Sequence, residues 1–121
     1  MRVKDEVGRF GEQLAVDHLK AAGLTIVERN WRCADGELDV VAIDGSAIVF
    51  VEVKTRSSTA FGLPSEAVTR DKLARLRRLA ARWLIEHHDV GRRYRDVRFD
   101  VVSVLRLAPG GPSVDHLRGV C

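Results

Sequence analysis

Two β-prone runs joined by a three-residue link constrain this chain more than any other feature. Gly36 to Ile43 and Ala47 to Thr55 are rich in Val, Ile and Phe, and Asp44-Gly45-Ser46 stands between them. Asp-Gly between apolar runs is a strong hairpin signal, because both residues tolerate the positive φ that a tight turn needs. Side chains alternate across a strand with period two. Ile48, Phe50, Glu52 and Lys54 therefore share one face of the second run, and Val49, Val51, Val53 and Thr55 share the other. In the first run Glu37, Asp39, Val41 and Ile43 are expected on one face. If Asp44-Gly45 forms the turn, Asp39 lies opposite Phe50 and diagonal to Glu52. If Gly45-Ser46 forms it, Asp39 lies opposite Glu52. Either register puts the two carboxylates on one face, with Cβ atoms about 5 Å apart when opposite and about 7–8 Å apart when diagonal. A one-residue slip would separate them, so the expectation depends on a tight turn.

The rest of the chain builds around that hairpin. Val7, Phe10, Leu14, Ala15, His18, Ala21 and Ala22 recur at helical spacing and predict a helix over 5–22, ended by Gly23. Glu12 falls on the border of that apolar arc. A strand is predicted over 24–31. The residues from Ser57 to Pro64 read as a loop. A long helix is predicted over 70–87, with Thr69 as its N-cap, Asp71 in its first turn, and a buried stripe of Leu73, Leu76, Leu79, Ala80, Trp83 and Leu84. A further strand is predicted over 97–105 and a short last one within 113–120. The order is α-β-β-β-α-β, with a possible final β. It specifies an α/β domain whose mixed sheet is flanked by helices.

Composition narrows the class. At 121 residues, with 45% apolar and 31% charged residues, the chain is expected to form one domain over 1–121. Cys33 and Cys121 stand far apart, outside any Cys/His cluster, which argues against a zinc ribbon or a disulfide framework. No run approaches the roughly 18 apolar residues of a membrane span. The charged start, Met1 to Phe10, lacks a signal-peptide core. A cytoplasmic protein is the expectation. Net charge is +3, and the basic residues crowd two segments, 70–82 and 92–98. They read either as solvated faces or as a phosphate-binding surface.

Two carboxylates close together on apolar strands repel each other and are costly to bury ionised. A hard divalent cation held by oxygen ligands relieves that cost, and Mg²⁺ is the natural one. Lys54, on the Glu52 face, supplies a point charge for a water or a phosphate oxygen. Asp39, Glu52 and Lys54 around a metal suit phosphodiester hydrolysis. A half-exposed strand with alternating solvated charges is the plainer alternative.

These residues carry a resemblance. Gly8-Arg9-Phe10-Gly11-Glu12, Asn30-Trp31-Arg32-Cys33, Gly36-Glu37-Leu38-Asp39, Phe50-Val51-Glu52-Val53-Lys54-Thr55-Arg56, Phe61-Gly62 and Arg98-Phe99-Asp100 together resemble the YraN-like family of small bacterial proteins. The likeness covers nearly the whole chain. It implies the restriction-endonuclease-like fold and a PD-(D/E)xK active site of Asp39, Glu52 and Lys54, with Leu38 where the motif's proline would stand. The same layout is similar to archaeal Holliday-junction resolvases, in which a glutamate of the first helix joins the site. Glu12 matches that place, and a surface charge is its alternative reading.

The expectation is a Mg²⁺- or Mn²⁺-dependent endonuclease acting on DNA, with branched or damaged DNA among its candidate substrates. Asp39 and Glu52 would ligate the metal with the Val53 carbonyl, Lys54 would position water, and Glu12 would assist. Arg56, Arg75, Arg78, Arg82 and the segment Arg92 to Arg98 would hold nucleic-acid phosphates. A homodimer is implied only by the resolvase resemblance. The rivals are a non-catalytic nucleic-acid-binding module on the same fold and a protein-interaction adaptor. Glu37 is read as a strand cap or a group behind Asp39, Asp100 as a contact within the sheet, and Trp31 and Trp83 as core. The four histidines show no metal-ligand spacing, and His87 and His88 suit a helix end.

Overall fold

The computed structural model describes residues 3–57 and 69–120, with side chains from Glu6 onward. Its elements run α1 (Val3–Ala21), β1 (Thr25–Cys33), β2 (Gly36–Asp44), β3 (Ala47–Arg56), α2 (Arg70–Glu86), the short α3 (His88–Gly91), β4 (Asp96–Leu105) and β5 (Ser113–Leu117). The predicted order is borne out, and α3 is an addition to it. Most of the loop after β3, with Phe61, Gly62 and Pro64, lies outside the described residues, as does Cys121.

One mixed sheet runs in the order β1-β2-β3-β4-β5. The β3–β4 pair is parallel and the other pairs are antiparallel. The turn between β2 and β3 is the two-residue Gly45-Ser46, since Asp44 pairs with Ala47 and Gly45 takes φ 60°. Parallel β3 and β4 need a crossover, and α2 provides it. Thr69 caps α2: its hydroxyl oxygen accepts from the Lys72 backbone N–H at 3.2 Å.

Each face of the sheet has its own core. Ala15, Val16 and Leu19 of α1 pack on Val40, Val49, Val51, Val102 and Val104. Leu76, Leu79, Ala80 and Trp83 of α2 pack on Leu38, Val41, Ile48 and Phe50 on the other face. The β3 alternation is as predicted. Trp83 is fully buried, and its indole N–H donates to Glu28 at 2.9 Å, the partner that a buried indole needs.

The buried face of α1 is rotated from the expected arc. Gly11, Ala15, Val16 and Leu19 are inside, whereas Phe10, Ala21 and Ala22 are exposed. Gly11 is the cause. A methyl there would overlap the Thr55 hydroxyl and lie 2.8 Å from Thr55 Cβ, so the helix backbone sits directly on β3 at this point. Glu12, the next residue, is thereby carried to the sheet's edge of the cleft described below.

Candidate functional site

β2 and β3 pair only as far as Val40 and Val51. The next rung would join Leu38 to Val53. Instead the Val53 N–H donates to Asp39 Oδ2 at 2.8 Å, so a side chain replaces the main-chain partner. The expected alternation of β2 also breaks here. Leu38 packs in the α2-side core although Val40 packs in the α1-side core. Asp39 therefore does not simply share the Val41 face, as the strict period predicted. It sits in the seam between the strands and opens onto the α1 side. Asn30, the β1 residue alongside this break, takes φ 54°, a left-handed conformation that asparagine tolerates better than most residues.

A cleft of about 730 Å³ lies in front of that seam, lined by Glu12, Glu37, Asp39, Val53 and Lys54 among others. A strand residue directs its N–H and C=O to the same neighbour. Because the Val53 N–H points at Asp39, its carbonyl faces the same gap. Three of the nearby carboxylates are paired with arginines. Arg29 Nε and Asn30 Nδ2 donate to Glu12 at 3.0 and 2.9 Å, Arg32 Nε lies 2.9 Å from Glu37, and Arg75 Nη2 lies 3.2 Å from Glu52 Oε1. Asp39 has no basic partner among the described residues. Burial pushes its carboxyl up to about 7; the Val53 N–H opposes this, and Glu52, Glu37 and Glu12 add to it by repulsion.

Glu52 itself faces α2, where Arg75 Nη2 reaches both of its oxygens at 3.2 and 3.4 Å. Asp39 and Glu52 are close enough to repel, but they open to opposite sides of the seam. Among the described residues, no three His, Cys, Asp or Glu side chains converge as a ready-made ion cage. The donor set still fits a hard divalent ion. Asp39, the Val53 carbonyl and a released Glu52 are all oxygen ligands, and Mg²⁺ retains several waters in such sites. Lys54 is exposed and lines the cleft beside Asp39.

The basic residues divide. Arg75 and Arg82 are engaged, Arg82 with Asp35 and Glu86 at 3.3 Å each, while Arg78 is exposed on α2. Arg56 is half-buried, and its carbonyl accepts from the Arg106 N–H at 2.8 Å. Arg92, Arg93 and Arg95 are exposed. Arg98 corrects the phosphate expectation for its segment. Its guanidinium donates to Asp100 at 2.9 and 3.0 Å and to Asp44 at 2.8 Å. Asp100 is fully buried on β4, level with Val51, and it also accepts from His116 Nε2 at 2.8 Å and from the Gly119 N–H at 3.0 Å. Burial alone would raise its carboxyl, but the bonds from His116, Arg98 and Gly119 outweigh it and hold Asp100 at about 2. It is the sheet contact expected of it. His87 ends α2, its Nδ1 donating to the Trp83 carbonyl at 2.8 Å.

Sequence reasoning passed over Arg29 and Asn30, which aim Glu12, and Lys72, which faces Glu52. The asparagine within the Asn30-Trp31 motif was the available signal for a left-handed position. Lys72 is one helical turn before Arg75 but looks like any other residue of a basic run.

Relatives match this chain over nearly its whole length. It is 65% identical to a UPF0102 protein of Beutenbergia cavernae over 99% of both chains. It is 57% identical to one of Frankia alni over 98% of this chain and 97% of that one, and 55% identical to one of Frankia casuarinae over 98% of both. The model of the uncharacterised protein family UPF0102 matches residues 11–104, which span Glu12, the hairpin, α2 and most of β4. The chain belongs to the uncharacterised protein family UPF0102.

Proposed function

We propose that this protein is a divalent-metal-dependent endonuclease that hydrolyses phosphodiester bonds in DNA. One observation carries the reading. Asp39 is a partly buried carboxylate at the mouth of a cleft, bounded by three other acids, beside a main-chain carbonyl and a lysine, with no basic side chain of its own among the described residues. Such a group is completed by a cation.

Asp39, the Val53 carbonyl and Glu52 would hold Mg²⁺ or Mn²⁺. The bound ion supplies water activation and charge neutralisation at the phosphorus centre. Lys54 holds the attacking water and a non-bridging phosphate oxygen. Glu12, fixed by Arg29 and Asn30, orients that water from the α1 side. Arg78 and the exposed Arg92, Arg93 and Arg95 hold strand phosphates. Glu52 turns away from Arg75 to take its place.

Incubation of the purified protein with Mg²⁺ or Mn²⁺ and a panel of duplex, nicked, branched and single-stranded DNA tests this. Cleavage that is lost in Asp39→Ala and Lys54→Ala, with DNA binding retained, is the expected result. Absence of cleavage across the panel with either ion would overturn it. The engagement of Glu52 by Arg75 favours a second reading, a nucleic-acid-binding module that uses no metal. That protein would bind DNA with a steep salt dependence, undiminished by a chelator.

A further inference from the structure

Glu52 sits at a junction of basic side chains from two elements. Arg75 Nη2 lies 3.2 Å from Oε1 and 3.4 Å from Oε2. Lys72 is three residues before Arg75 on α2, so both rise from one helix face. Lys54 is two residues after Glu52 on β3 and leaves the same strand face. Three cations from two elements thus lie around one anion, and among the described residues only Arg75 is within ion-pair distance of it. Lys72 is half-buried. Its ammonium is pushed below the usual lysine range, first by burial and then by Lys54, with Arg75 adding to the effect and Glu52 opposing it. The two lysines therefore repel each other across the strand–helix boundary.

We propose that Lys54, Lys72 and Arg75 form a phosphate-binding subsite where the acidic cleft meets the α2 side of β3. A phosphate group there would give Lys54 and Lys72 an anion at ion-pair distance, which neither has among the described residues. The Arg75–Glu52 pair is partly exposed, at 45% and 21% of the two side chains, and such pairs are weak. An arriving phosphate competes with Glu52 for Arg75, and the planar guanidinium suits either oxyanion. Phosphate binding and release of Glu52 toward the seam are then one event. The subsite stands on the cation cluster. It rests on the nuclease reading only for the assignment of its phosphate to a nucleic-acid strand.

Nuclear magnetic resonance of labelled lysine and arginine side chains, in chelator-treated protein, tests the subsite. Sodium pyrophosphate is the minimal probe and a short DNA duplex the second. The Lys54, Lys72 and Arg75 signals should move together and saturate with both. Lys72→Ala should weaken pyrophosphate binding about tenfold, the loss of one charge-assisted contact, while Arg77→Ala leaves it unchanged. A response to pyrophosphate but not to duplex would keep the subsite and overturn its assignment to a strand. Unchanged pyrophosphate affinity in Lys72→Ala, or equal pyrophosphate shifts at Arg70 and Arg77, would overturn the subsite itself. Neither outcome depends on cleavage, so its failure and that of the nuclease reading are distinguishable.

Discussion

Two aspartates set the residue-scale behaviour of this protein, and they act in opposite directions. Asp39 has its carboxyl raised to about 7 by burial and by neighbouring acids. An unfolded aspartate titrates near 3.9, so between about pH 4 and 7 the folded state binds the extra proton and stability falls as pH rises. Asp39→Asn retains an acceptor for the Val53 N–H and removes the charge. It should gain about 1–2 kcal/mol at pH 8 and flatten that fall, as urea unfolding across the pH range would measure. No gain at pH 8 would contradict the environment described for Asp39. Asp100, held at about 2, contributes stability that is present above about pH 4 and lost as pH falls toward 2. Removing its guanidinium partner by Arg98→Ala leaves a buried carboxylate short of donors and should cost about 3 kcal/mol. A near-neutral Arg98→Ala would show that His116 and Gly119 suffice.

At the scale of elements, the close seating of α1 on β3 is what brings Glu12 to the cleft. Gly11→Ala should destabilise by about 1–3 kcal/mol through overpacking against Thr55. Wild-type stability would mean that the helix does not approach so closely. Much of this level was legible in the sequence. The Asp44-Gly45-Ser46 link and the β-branched runs around it specify the hairpin, and Thr69 announces the start of α2. The faces were less legible. Apolar spacing in α1 pointed to Phe10, but the burial is decided by where a glycine lets two backbones meet, and that partner lies 44 residues away, at Thr55. The period-two rule kept Asp39 with Val41 because it assumes a continuous ladder. The ladder ends at Val40, where a side chain substitutes for a main-chain acceptor. Arg98 looked like one more cation of a basic run until the fold set it beside Asp44 and Asp100, contacts that no local pattern encodes.

For the whole molecule, the sheet separates two polar centres. Arg98, Asp100 and His116 form one on β4 and β5, with every carboxylate oxygen of Asp100 satisfied. At the β2–β3 seam Glu12, Glu37 and Glu52 are each paired with an arginine, and Asp39 has only a backbone donor among the described residues. A fold does not give an activity, and the reading rests on that imbalance. The most direct measurement is Mn²⁺ binding by calorimetry, with and without DNA, on the wild-type protein and on Asp39→Ala. Binding by the wild type, strengthened by DNA and abolished in Asp39→Ala, is the predicted result. No binding in either condition, or binding that survives loss of Asp39, would contradict a metal centre at this seam.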